Sequence, residues 1–82
     1  MTLDARKQWT PERAAELIDE AQCLVGSRNR LCEAIGISRR RLGYIEAGFR
    51  LLPDGRKTPV VMTFAEQVVL EDTIAWHRAN PA

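Results

Sequence analysis

The residues of this chain best suited to chemistry are three consecutive arginines, Arg39-Arg40-Arg41, which follow Ser38 and precede Leu42, Tyr44 and Ile45. A guanidinium is a rigid fork of donors that can place two parallel hydrogen bonds on the O6/N7 edge of guanine, or bind a phosphate through charge. Three cations at the start of a helix also oppose the positive end of its dipole, so compensation from outside the helix is expected. A nucleic acid is the economical source, with Arg39 and Arg40 as base readers and Arg41 reaching the backbone. Catalysis has no comparable constellation: the sequence holds no paired carboxylates in a plausible cleft, no nucleophile with a base, no glycine-rich phosphate loop and no metal-ligand spacing. The chain is therefore read as not an enzyme, with no cofactor, no metal and no small-molecule ligand.

Charge adds to this reading once the chain is divided. The formal net charge is only +1 over 82 residues. From Ser27 to Lys57, however, eight basic residues (Arg28, Arg30, Arg39, Arg40, Arg41, Arg50, Arg56, Lys57) face three acidic ones (Glu33, Glu46, Asp54), while the remainder holds four basic and eight acidic residues. Such segregation lets a nearly neutral protein present a basic face to phosphates. The two cysteines, Cys23 and Cys32, lie inside helical patterns and are read as small buried apolar residues rather than as a disulfide or zinc pair. No apolar run is long enough to span a bilayer and no secretory signal opens the chain, so a cytoplasmic location and no membrane partner are expected.

The elements that must position these residues are helical. The length suits a single domain covering 1–82. After an N-terminal arm over residues 1–9, Thr10-Pro11 caps and opens a first helix whose apolar positions are Ala14, Leu17, Ile18, Ala21 and Leu24 or Val25, with Gly26 after it. Ser27 starts a second helix that ends at Gly36. Ser38 starts a third that ends at Gly48. Between Phe49 and Met62 the period disappears around a Pro53-Asp54-Gly55 turn, which predicts an irregular loop or a short hairpin, with the hairpin favoured and Pro59 confined to an edge. Thr63 to Glu66 has capping-box spacing and opens a last helix over 63–77. The fold class is all-α, with four helices and one irregular insertion.

Residues 28–48 have the requirements of a helix-turn-helix. Leu31, Ile35, Ile37, Leu42 and Ile45 supply the inward set, Gly36 the turn, and Cys32 or Ala34 the small residue at a close approach. The run Gly36-Ile37-Ser38, three arginines, Leu42 and Tyr44-Ile45-Glu46-Ala47-Gly48 resembles the Cro/cI-type (Xre-like) helix-turn-helix regulators over about 21 residues. That resemblance implies a third helix that reads the major groove of double-stranded DNA through Ser38, Arg39, Arg40 and Tyr44. It also implies Arg28, Asn29 and Arg30 against the phosphates, with Glu46 pairing a neighbouring arginine or orienting the helix end. Beyond Gly48 the chain departs from the family. Arg50, Arg56 and Lys57 either grip the DNA backbone as a wing or keep an exposed turn soluble. Residues 59–63 and 67–71 look similar to small phage-type regulators, including those encoded beside anti-CRISPR genes.

The last helix is apolar on more than one side. Phe64, Ala65, Val68, Val69 and Ala75 share one broad face, Leu70 and Ile74 lie well round from it, and Trp76 sits at its margin. One monomer core covers one face, so a homodimer is expected through Val68, Leu70, Ile74 and Trp76, reading a pseudo-palindromic operator. The function that follows is a dimeric transcriptional repressor or autorepressor. The alternatives are an antitoxin or excisionase-like DNA-binding protein, or a protein-interaction module without DNA binding.

Overall fold

A computed structural model describes residues 7–81, so most of the expected N-terminal arm, residues 1–6, lies outside the described residues. Helix α1 spans Pro11–Val25, α2 Arg28–Ile35, α3 Arg39–Ala47 and α4 Phe64–Ala79, with strands β1 (Phe49–Leu51) and β2 (Lys57–Pro59) between α3 and α4. The chain is thus mostly helical with one small antiparallel sheet.

Each helix starts where a hydroxyl can accept an orphan backbone N–H. Thr10 accepts from Arg13, Ser27 from Arg30 and Ser38 from Arg41, each at 3.1 Å. Thr63 accepts from Glu66 N at 3.1 Å while the Glu66 carboxylate accepts from Thr63 N at 2.8 Å, completing the expected capping box. Helix α4 runs two residues past the expected end.

The core draws on every helix: Ala14, Ile18 and Ala21 from α1, Leu31 and Ile35 from α2, Leu42 and Ile45 from α3, Leu70 and Ile74 from α4, joined by Ile37 and Met62. Burying each large aliphatic side chain contributes roughly 1.5–3 kcal/mol, so this cluster dominates the stability of so small a unit. The inward set expected from residues 28–48 is buried in full. Gly36, at φ 71°, makes the turn that lets α2 and α3 both face this core.

Two expectations about small residues fail. Ala34 is exposed, while Cys32 is half-buried against the core, and a Cβ on Gly48 would lie 2.7 Å from Cγ of Pro11. A close approach lies between the end of α3 and the start of α1. Cys23 is exposed, because it lies on the side of α1 away from Ala14, Ile18 and Ala21.

The hairpin pairs Phe49 with Pro59, Arg50 with Thr58 and Leu51 with Lys57. In a two-stranded sheet both strands are edges, so Pro59 loses no interior ladder bond. The hairpin is tied back to α3 by Val60 N donating to Gly48 O at 3.1 Å.

One face of α4, formed by Gln67, Leu70 and Ile74, is buried. This corrects the expected dimer surface, since Leu70 is fully buried and Ile74 is 5% exposed within a single chain. Gln67 is buried without penalty because its amide is satisfied: Oε1 accepts from Trp9 N at 2.9 Å and Nε2 donates to Lys7 O at 3.2 Å. These bonds pin the N-terminal segment to α4 and set Trp9 against the core.

Candidate nucleic-acid interface

Burying Leu42 and Ile45 leaves the opposite side of α3 to solvent. Arg39, Arg40, Gly43, Tyr44 and Ala47 span about 140° of the helix circumference there. Arg39 and Arg40 are exposed, and among the described residues their side chains make no hydrogen bond or ion pair. Tyr44 is half-buried, and the guanidinium of Arg50 on β1 lies 5.9 Å from its ring centroid. The hairpin therefore adds a cation beside the α3 face, held by a ring that attracts it. Lys57 Nζ sits 4.6 Å from the Phe49 ring centroid, and Arg56 turns back onto Asp54 with Nε at 2.6 Å from Oδ2. Of the three basic residues expected to act as a wing, Arg56 is thus occupied by its own turn.

The other expected backbone contacts divide in the same way. Arg41 does not extend outward with its two neighbours. Its Nε and Nη2 donate to the two carboxylate oxygens of Glu66, both at 2.8 Å, which bolts the start of α3 to the start of α4. That bidentate pair, helped by the Thr63 backbone, pulls the Glu66 carboxyl down to about 2 and raises the Arg41 guanidinium. Arg28 donates through Nη1 to Gln22 Oε1 at 2.6 Å and through Nη2 to Glu46, joining α1, α2 and α3. The hydrogen bond to Glu46 raises the Arg28 pKa despite partial burial. Glu46 thus has the expected role of pairing an arginine. Arg28 and Arg41, expected as phosphate contacts, are each paired with a carboxylate of the protein and only partly exposed.

Asn29 and Arg30 are exposed, but Arg30 lines a shallow cavity with Cys23, Leu24, Val25, Trp76 and His77 at the far ends of α1 and α4. Because Arg41 meets α4 at its first turn and Arg30 lies beside its last, the two are separated by most of that helix. Arg30 does not join the α3 face. Ser38 is exposed at the start of α3 with its oxygen accepting from Arg41 N, leaving its hydroxyl proton free to donate outward.

On α4, the side away from Leu70 and Ile74 stays uncovered. Val68 is half-buried, Phe64 is 43% exposed, Val69 39% and Trp76 59%. Trp76 therefore belongs to the same open surface as Phe64, Ala65 and Val69, and the half of the expected interface formed by Val68 and Trp76 is available.

Sequence reasoning gave Gly43 no part and saw Glu66 only as a capping residue. The pairing of Glu66 with Arg41 has no local signal, because 25 residues separate them. Gly43 did have one, a glycine in the middle of an otherwise regular helix. No group of three or more His, Cys, Asp or Glu residues among the described residues could hold a metal, and no helix among them is long and apolar enough to cross a membrane. No protein-family model, curated protein or solved structure matches this chain, so the resemblance to Cro/cI-type regulators rests on its residues alone.

Proposed function

We propose that this chain is a sequence-specific DNA-binding transcriptional regulator, a repressor or autorepressor of the phage type, in which α2 and α3 act as a helix-turn-helix and α3 enters the major groove. The observation that carries the reading is the division of cations around α3: Arg28 and Arg41 are matched to carboxylates, while Arg39 and Arg40 are exposed on one face with no acidic partner among the described residues. Unmatched guanidiniums at a helix N-terminus are unfavourable against its dipole and gain most from an anionic ligand that fits a bidentate donor. Arg39 and Arg40 read base edges. Ser38 and Tyr44 flank them, and Arg50 with Lys57 contacts the phosphates of the adjoining strand. A regulator bound across a promoter represses by excluding polymerase.

The open apolar side of α4 supports a homodimer through Phe64, Val68, Val69 and Trp76. Two copies double the reading surface and match a pseudo-palindromic site. Trp76→Glu tests this directly: sedimentation shifts from dimer to monomer while the helical signal is retained. The same surface supports the second reading, a protein-interaction module, if its occupant is another protein.

The deciding experiment is an electrophoretic mobility shift of the purified protein on the DNA upstream of its own gene and on a random duplex, at two salt concentrations. The expected result is a discrete shift on the upstream DNA that weakens steeply with salt, because each neutralised phosphate releases condensed counterions. Absence of a shift on either duplex at low salt overturns DNA binding in favour of a protein partner.

A further inference from the structure

Gly43 lies in the middle of α3, and a Cβ built on it meets nothing within 4 Å. Its backbone has ordinary helical dihedrals, since the glycines with positive φ are Gly26, Gly36, Gly48 and Gly55. Neither packing nor backbone geometry within the protein therefore requires glycine there. Glycine is, after proline, the poorest helix former, and α3 has only nine residues over which to dilute its cost. The contrast with Gly48 is direct, because there a Cβ would strike Pro11 and φ is 85°.

The missing side chain faces outward. Gly43 lies one turn after Arg39 and Arg40 and one turn before Ala47; it is half-buried and sits between Arg39 and Ala47 on the solvent side of α3. That face carries two unmatched guanidiniums at its start and bare backbone in its middle. We infer that Gly43 is the position at which the helix backbone itself comes against the ligand, setting how deeply α3 seats and so letting Arg39 and Arg40 reach together. This rests on the DNA reading above, and the ligand is the floor and wall of a major groove. Long side chains at the start of a helix reach the base edges only if the following turn does not hold the helix away. Gly43 is thus an affinity- and specificity-determining position that contributes no contact atom of its own beyond Cα.

Gly43→Ala tests the inference, because it moves stability and binding in opposite directions. Duplexes are first selected from a randomised library with the natural protein, and the Kd of each variant is then measured on the selected duplex and on random DNA, alongside thermal unfolding. The expected outcome is a Tm raised by about 4–8 °C, from restored helix propensity, with at least a tenfold loss of affinity on the selected duplex and little change on random DNA. Gly43→Leu deepens the loss further. Equal affinity of Gly43→Ala and the natural protein overturns the inference and leaves the DNA reading standing. A lowered Tm also overturns it, by showing that the glycine serves the fold. Failure of the natural protein to enrich any duplex overturns the sequence-specific DNA reading and the inference with it.

Discussion

The solvent face of α3 and the junctions at its two ends use the same side chain in opposite ways. Arg41 is one residue from Arg40, yet its guanidinium closes on Glu66 of α4, and at the other end Glu46 closes on Arg28. Ahead of Arg41, in the first turn of the helix, Arg39 and Arg40 meet no carboxylate among the described residues. An arginine beside a carboxylate from another helix fixes the angle between those helices, whereas one without a partner keeps its full donor fork for something outside the fold. The two locked pairs hold the helix that presents the two cations left without an ion pair among the described residues, so under the proposed DNA reading positioning and recognition fall to different arginines.

Substitutions that break one region and leave the other sharpen the comparison. The largest effect is expected at the free pair. Arg39→Ala and Arg40→Ala should each weaken binding to a selected duplex by roughly 1–3 kcal/mol while leaving the thermal midpoint unchanged or slightly raised, since each removes a cation opposed to the helix dipole. Equal losses on selected and random DNA for both variants would remove them as base readers. Next is Gly48→Ala, where strain at positive φ and the approach to Pro11 should cost about 2 kcal/mol of folding stability, read by denaturant titration.

At the locked junctions, Arg28→Ala and Glu46→Ala should each destabilise by about 1 kcal/mol, with the double variant costing less than their sum in a double-mutant cycle. Their DNA affinity, measured well below the melting temperature, should fall far less than that of Arg40→Ala. Glu66→Gln keeps a residue able to complete the capping box but removes the charge facing Arg41. Glu66 has a pKa lowered from 4.5 to about 2 in the folded protein. Its contribution is therefore fully present above 4.5 and is lost as pH falls towards 2. Acid titration of stability should show this loss in the natural protein and a flatter profile in Glu66→Gln over that interval. The smallest effect is expected for Arg30→Ala, within about 0.5 kcal/mol in stability and small for DNA, since Arg30 lines a shallow cavity with Trp76 and His77 of the last turns of α4.

Much of the architecture is legible in the sequence. Hydroxyl caps at Thr10, Ser27, Ser38 and Thr63, glycines after three of the helices, and the Pro-Asp-Gly turn are local signals, and the observed helix starts follow them. The inward residues of 28–48 were equally legible, because helical period assigns a face without knowledge of what covers it. Less of the candidate site was legible. Which of the clustered cations stay free depended on carboxylates 18 and 25 residues away in sequence, and sequence charge counts cannot see such pairings. On α4 the period showed two apolar faces but could not choose between them. Leu70 and Ile74 went inward together with Gln67, whose amide finds its partners in Lys7 and Trp9, far away along the chain.

By itself the sequence determined the helices and where they start, the hairpin turn and the basic character of the segment 27–57, since each depends on neighbours within a few residues. Only the tertiary structure decided which arginines became ties between helices, which face of α4 joined the core, and that Gly43 looks onto open space. Those outcomes depend on long-range packing, in which a residue's surroundings are set by elements that no local pattern specifies.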